Sequence, residues 1–231
     1  LDLTPATTTA QLPEHVDLWK SSLDWQPSAA QLALFQQLNG QMLAGNRQLN
    51  LTRITDPAEF WEKHLWDSLS GMAPWIAEST DKTDAEAADE VADDAADKAG
   101  EQETAVGERP SEPPPAHPYE DQPIKVIDIG TGAGFPGIPA AIALSPIMPI
   151  ALTLVDSTRK KVQFLQVLSQ QLEIPATCLA ERAETLGQQK THREQYDLAL
   201  IRAVGPAATC VEYAMPFLKI GGQLVLFRGQ W

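Results

Sequence analysis

The chain has little cysteine, little histidine and no long apolar run, and each shortage closes off a class of protein. Two cysteines, Cys178 and Cys210, cannot build a disulfide framework or a four-thiolate metal centre. Both lie among apolar neighbours, which predicts reduced core residues and a cytoplasmic protein. The four histidines, at 15, 64, 117 and 192, are too scattered to predict a metal site. No stretch approaches the roughly 18 consecutive apolar residues of a membrane-spanning helix. The opening LDLTPATTTAQLPEHVDLWK lacks the basic start and apolar centre of a secretory signal, so none is expected. Positive charge is scarce too: 17 Lys and Arg stand against 31 Asp and Glu, for a net charge of −14. That imbalance is local. Residues 78–121 hold 15 acidic and 3 basic side chains, so the rest of the chain is close to neutral and a polyanionic partner stays open to it.

What is present falls into three stretches. From Ser28, placed to cap, Leu32, Phe35, Leu38, Met42 and Leu49 recur at helical spacing. Asp56-Pro57-Ala58-Glu59 predicts a second helix start, with a capping acid, a proline at the first helical position and a glutamate three residues on. That helix carries Phe60, Trp61, Leu65, Trp66, Leu69 and Met72, and residues 12–20 suggest a short third one. The tryptophans at 61, 66 and 75 read as core. Residues 1–77 are thus a helical region. Residues 78–122 are rich in Ala, Asp and Glu and then in Pro, with almost no large apolar side chains; such a segment cannot offset its ordering entropy and predicts a disordered insertion. From 123 to 231 the texture alternates. Strands are expected at 124–129, 151–155, 176–180, 196–201 and 222–228, with helices at 137–144, 158–172, 182–187 and 207–219. Near-continuous apolar strands alternating with helices predict an α/β fold on a parallel, doubly wound sheet.

The first strand runs into VIDIGTGAGFPGIP, residues 126–139. Gly130, Gly132, Gly134 and Gly137 leave the backbone bare where a ligand approaches the C-terminal ends of the strands. The second strand ends in Asp156, placed to accept both hydroxyls of a ribose. Gly132 to Gly137 formally fits the dinucleotide pattern GxGxxG, so a nicotinamide oxidoreductase is one reading. Asp128, two residues before the first glycine, turns the balance. An acid beneath the loop suits a cationic sulfonium better than a pyrophosphate, and Asp-x-Gly-x-Gly-x-Gly is the pattern of S-adenosylmethionine-dependent methyltransferases.

Further elements follow in a fixed order: Asn50-Leu-Thr52, Asp56-Pro57, His64-Leu-Trp-Asp67-Ser68-Leu69, the glycine stretch, Leu154-Val-Asp-Ser157, Lys160-Lys-Val-Gln-Phe-Leu165, Ile201-Arg202-Ala203 and Leu226-Phe-Arg-Gly-Gln230. Together they resemble the RsmG (GidB) family over residues 28–75 and 123–230. The resemblance implies a Rossmann-like, largely parallel methyltransferase sheet with an N-terminal helical extension. It implies S-adenosyl-L-methionine as cofactor and N7 of a guanine in 16S ribosomal RNA as acceptor. By position it places cofactor contacts at Gly130, Phe135, Asp156, Ser157, Thr158, Ala183, Glu184 and Arg202; the glycine loop itself adds Gly132 and Gly134. This chain departs from the family in two places. Its insertion is long, and it stops just past the fifth strand, where the resemblance implies a sixth and seventh, so a core truncated at its C-terminus is expected.

Guanine N7 carries a lone pair and no proton, so its methylation asks for alignment rather than a general base. The sequence agrees. It has no Asn/Asp-Pro-Pro-Tyr/Phe motif and no Pro-Cys or Thr-Cys-Asn loop. Arg202 and Arg182 are candidates for contact with RNA or the cofactor carboxylate, surface ion pairs being the plainer alternative. Asn50, His64 and Asp67 are candidates for closing over the cofactor or steadying the base; His64 and Asp67, three apart on a helix, are expected to pair, and a local packing network is the plainer reading. Lys160-Lys161 is the densest basic spot outside the insertion, a modest footprint that points to structured RNA or the assembled small subunit as partner. No metal or membrane partner is expected. Two other readings remain: a small-molecule methyltransferase on the same scaffold, and a non-catalytic protein binding partners through its acidic insertion.

Overall fold

The computed structural model of the chain describes residue 3, residues 10–76 and residues 122–228; the insertion expected at 78–122 lies outside the described residues apart from its last position. Five strands form one sheet: β1 (Ile124–Ile129), β2 (Ile150–Val155), β3 (Ala176–Leu179), β4 (Tyr196–Arg202) and β5 (Leu218–Phe227). Their order is β3-β2-β1-β4-β5 and every pairing is parallel. β1 shows why. Apart from Lys125 all of its residues are buried, as a central strand covered by helices on both faces requires. Helices Gly137–Leu144, Arg159–Gln171, Ala183–Leu186 and Ala207–Ala214 make the crossovers. The chain winds outward from β1 through β2 to β3, then returns to lay β4 and β5 on the other side. The direction reverses between β1 and β4, and a crevice opens there at the C-terminal ends of the strands.

Most boundaries fall where the sequence places them, and the exceptions have local causes. The helix expected over 207–219 ends at Ala214. Pro216 has no N–H to continue it, so Met215–Phe217 tightens into a 3₁₀ turn and β5 begins at Leu218 rather than 222. β5 then bulges: it pairs Leu218 with Tyr196 and resumes at Gln223 opposite Leu198, with Gly221 at φ 84° inside the detour. The first helix, expected at 12–20, spans Val16–Leu23, because His15 sits in the left-handed region and the helix begins only after it.

The N-terminal helices are not a separate layer. Helix Ala29–Leu49 begins with a full capping box: Gln31 N donates to Ser28 Oγ at 3.2 Å and Ser28 N to Gln31 Oε1 at 2.8 Å. The same Gln31 donates from Nε2 to the carbonyls of Ile142 and Ala143, tying this helix to the first crossover. Asp56 Oδ1 accepts from Ala58 N and Glu59 N, capping Pro57–Phe60 as expected. That helix then widens to π hydrogen bonding over Trp61–Trp66 and returns to α geometry over Asp67–Ser70, a change nothing in the sequence pattern anticipates. One apolar cluster runs through both regions, joining Trp19, Leu38 and Phe60 to Val126, Leu152 and Phe164. Trp61 and Trp75 are buried in it; Trp66 packs at its edge and donates from Nε1 to Ser22 Oγ.

Helix Ala29–Leu49 runs antiparallel to Arg159–Gln171. Gln37 Nε2 donates to Gln171 O at 2.9 Å, and further along Gly45 lies so close that a Cβ there would stand 2.4 Å from Phe164 Cε2. Alanine is the better helix former by about 1 kcal/mol, but overpacking against a buried ring costs about 1–3 kcal/mol. Gly45→Ala is therefore expected to lower the urea midpoint; a rise, as at an open helix position, would show that these helices have room to separate.

Candidate functional site

The site is built from the loop after β1. Gly130, Gly132 and Gly134 hold φ angles of 69°, 62° and 99°, which glycine adopts without strain. Close approach adds to the demand at Gly130, where a Cβ would stand 2.5 Å from Val204 Cγ2. Asp128 organises the turn from below. It is fully buried, and its Oδ2 accepts from Thr131 Oγ1 at 2.6 Å and from Gly137 N at 2.8 Å. Burial raises its carboxyl to about 6, against the opposing pull of those two hydrogen bonds. This corrects the expectation of Asp128 as a counter-charge facing a cationic ligand: the carboxyl is taken up in pinning the loop to the helix that follows. Gly137 is required beside it, since a Cβ there would meet Asp128 Oδ2 at 2.8 Å.

A cleft opens beyond the ends of β1, β2 and β3. It gathers Gly130, Asp156, Ser157, Arg182, Ala183 and Glu184 from the candidates, and adds Ile129, Val155, Glu181, Val204 and Tyr213. Asp156 is nearly buried. Its Oδ2 accepts from Gly132 N at 3.1 Å and its Oδ1 from Thr158 N at 2.8 Å, with Lys161 Nζ 3.5 Å away. One carboxylate thus bridges the glycine loop to the start of the second crossover helix, and Gly132 and Thr158 touch the site through it rather than by lining the cleft. Gly134 lies deeper, its would-be Cβ against Ile138 and Leu165. On the far wall Arg182 Nη2 pairs with Glu184 Oε1 at 3.0 Å, and that bond, helped by the Tyr213 hydroxyl, pulls Glu184 down to about 2. Arg182 is exposed, so this is a surface ion pair of the plain kind. Val204 and Tyr213 went unforeseen. Val204 follows the Ile201-Arg202-Ala203 segment, and Tyr213 stands three residues after the buried Cys210 on the next helix.

The remaining candidates form a second group, a clamp on the other side of the loop. Phe135 is buried, stacked on His64 with centroids 4.5 Å apart and planes 13° apart, with Phe60 edge-on at 5.7 Å. Arg202 arrives from the end of β4 with Cζ 5.7 Å from the Phe135 centroid. Its Nη1 donates to Asp67 Oδ2 at 2.8 Å, to Lys63 O at 3.2 Å and to Ser68 Oγ at 3.4 Å. The expected pair of His64 with Asp67 does not form. The π turn carries the two to different partners: Asp67 faces Arg202, and His64 Nε2 is hydrogen-bonded to Thr52 Oγ1 at 3.1 Å. Asn50 also differs from expectation. It is exposed and acts through its backbone, ending helix Ala29–Leu49 at φ 51°; Asn46 Oδ1 then accepts from Thr52 N and sets Thr52 against His64. Thr52 and Ser68 were the unrecognised members of the quoted Asn-Leu-Thr and His-x-x-Asp-Ser segments. Among the described residues no three His, Cys, Asp or Glu side chains gather as metal ligands, and no helix is long and apolar enough to cross a membrane.

Comparison with known proteins bears on this arrangement. The family model described as GidB, rRNA small subunit methyltransferase G, matches residues 116–231. A protein of Trichormus variabilis named ribosomal RNA small subunit methyltransferase G is 47% identical over 225 residues, covering 96% of this chain and 75% of its own. One of the same name from Synechococcus elongatus is 46% identical, covering 92% of this chain and 70% of its own. Among solved structures, a SAM-dependent methyltransferase of Thiobacillus denitrificans in complex with S-adenosyl-L-homocysteine is 16% identical, covers 45% of this chain and 41% of its own, and has a TM-score of 0.36, a likeness too slight to carry an argument.

The clamp leaves a signature in pH dependence. Burial, and then the nearby Arg202 charge, lower His64 from 6.5 to about 4. As pH falls through 6.5 the unfolded chain gains a proton at His64 and the folded chain does not, so stability tied to His64 is lost between 6.5 and 4. Asp128, raised from 3.8 to about 6, acts with the opposite sign, its share of stability growing as pH falls from 6 toward 3.8. His64→Phe keeps a ring on Phe135 and removes one titration while leaving the other. The melting temperature of the wild type relative to this variant is expected to drop steadily between pH 6.5 and 4. A gap that stays flat with pH would mean that His64 is not desolvated.

Proposed function

The chain belongs to the rRNA small subunit methyltransferase G family, and on that premise we propose that it transfers the methyl group of S-adenosylmethionine to N7 of a guanine in 16S ribosomal RNA. The observation that best supports the reading is the cleft at the switch point, with a side-chain-free loop on one side and the nearly buried Asp156 on the other. The residues present suit a nucleoside-bearing methyl donor. Each oxygen of Asp156 keeps an acceptor position beyond its bond to Gly132 or Thr158, enough for ribose hydroxyls. Ile129, Ala183, Val204 and Tyr213 offer apolar walls to a planar base, and Glu184 a polar edge. Phe135 and Arg202 would hold the amino-acid end at the rim, with Asp67 steadying the guanidinium from behind. Bound there, S-adenosylmethionine supplies a methyl group activated by a sulfonium.

The chain's own part is alignment. Guanine N7 needs no proton removed, so transfer asks for an in-line approach at about 3–3.5 Å and little else. The titratable groups around the site fit that modest demand. His64 is neutral and packed on Phe135, and Cys210 is buried with Sγ donating to Gly205 O. An unstacked guanine in an irregular region, presented by the assembled small subunit in the cytoplasm, is the substrate this reading favours. No observation favours a small-molecule substrate, and a purely partner-binding role would rest on residues outside those described.

Incubating the protein with small subunits that lack the modification and with methyl-labelled S-adenosylmethionine is expected to label 16S RNA at one guanine. That guanine should become cleavable by borohydride and aniline, as N7-methylguanosine is. Label in small molecules with RNA left bare would overturn the reading. Asp156→Ala should raise the calorimetric Kd for S-adenosylmethionine roughly tenfold to a hundredfold, the loss of one or two charge-assisted hydrogen bonds. An unchanged Kd would remove Asp156 from the groups that hold the cofactor.

A further inference from the structure

The antiparallel packing of helix Ala29–Leu49 on Arg159–Gln171 has an electrostatic result at one end. With Gln37 opposite Gln171 and Gly45 opposite Phe164, the last turn of the first helix comes beside the first turn of the second. Arg47 lies in that last turn and Arg53 just past it; Arg159 and Lys160 open the other helix. All four side chains belong to exposed residues, and none takes part in an ion pair among the described residues. The neighbouring Lys161, by contrast, is paired with Asp156.

Four unneutralised cations at one place repel one another, and two of them sit at a helix N-terminus, where the backbone dipole favours anions. Nothing in the fold compensates for that arrangement; a polyanion would. The place is also telling. Arg53 follows Thr52, which holds His64 against Phe135, and Arg159 and Lys160 follow Asp156-Ser157-Thr158 at the cleft. The patch therefore borders the same rim of the sheet as the proposed transfer site. Arginine forks suit phosphate oxygens bidentately, and phosphate contacts position a nucleic acid without reading its bases.

We propose that Arg47, Arg53, Arg159 and Lys160 grip the phosphate backbone of the substrate RNA beside the target guanine, an inference that rests on the RNA methyl transfer proposed above. The patch sets where RNA docks, while the cleft binds cofactor independently of it.

The test uses the whole chain carrying R47Q, R53Q, R159Q and K160Q together, with K125Q/K190Q as the control for charge removed elsewhere. Binding to 16S RNA is measured across salt concentrations, methyl transfer across small-subunit concentrations, and S-adenosylmethionine affinity by calorimetry. RNA binding is expected to weaken roughly tenfold or more. The slope of log K against log salt should flatten by about 0.7–0.9 for each phosphate that no longer meets a cation. KM for subunits should rise in step while the cofactor Kd stays within about twofold, the pattern of impaired substrate docking. Should the fourfold variant not fold, R47Q/R53Q and R159Q/K160Q are read separately in the same way. Unchanged salt slope and KM, in a protein whose wild type labels 16S RNA, overturn the proposal and leave the function standing. An equal weakening in K125Q/K190Q also overturns it. A wild type that labels no RNA overturns both.

Discussion

Arg202 joins parts of the chain that lie far apart in sequence. It grows from the end of β4, yet its acceptors, Asp67, Ser68 and the Lys63 carbonyl, all lie on the N-terminal helices. A guanidinium cannot shed its charge, and this one is only 16% exposed, so it needs those acceptors wherever it sits. Meeting that need holds the helical segment to the rim of the sheet. Phe135 is then caught between Arg202 and His64, and through Phe135 the glycine loop takes its place. The upper surface of the site is thus supplied by helices that precede the sheet, while the floor is supplied by the sheet.

The floor follows a different logic, that of buried acceptors. Asp128 and Asp156 each collect backbone N–H groups from the loop or from a helix start. Glycines leave such N–H groups in geometries regular structure does not satisfy, and a carboxylate from an adjoining strand end satisfies them. The two acids differ in consequence. Asp128 is sealed beneath the loop and titrates near 6, whereas Asp156 lies at the cleft and keeps acceptor capacity toward it.

How much of this was legible in the sequence follows from how local each feature is. The parallel sheet was legible because strands covered on both faces are continuous apolar runs, and the glycine loop because positive φ is demanded residue by residue. The cleft residues after β2 and β3 could be placed because ligands in such sheets meet the C-terminal strand ends. The clamp could not be paired correctly. His64 and Asp67 look like partners at a spacing of three on a regular helix, and the π turn between Trp61 and Trp66 removes the regularity that inference relies on. Tyr213 and Val204 reach the cleft only because β4 lies next to β1, which sequence spacing does not reveal. Asp128 was seen as functional when its work is structural, since sequence shows that an acid is near a loop and not which way its oxygens face.

The π turn carries one consequence for how this protein can vary. Such a turn accommodates one residue more than an α-helix would over the same stretch, and the residues beyond it keep the phase they would have with that residue absent. Shortening the chain by one between 61 and 66 would therefore let the turn close to α geometry and leave Asp67 and Ser68 facing Arg202. Straightening it at constant length would do the opposite. Each residue advances a helix by about 100°, so everything past the turn would swing by about that angle. Leu69 and Met72, both fully buried, would then leave the core. The wide turn works as slack taken up in the chain: a deletion draws on it harmlessly, while a change that favours the regular helix at full length spoils the alignment it preserves.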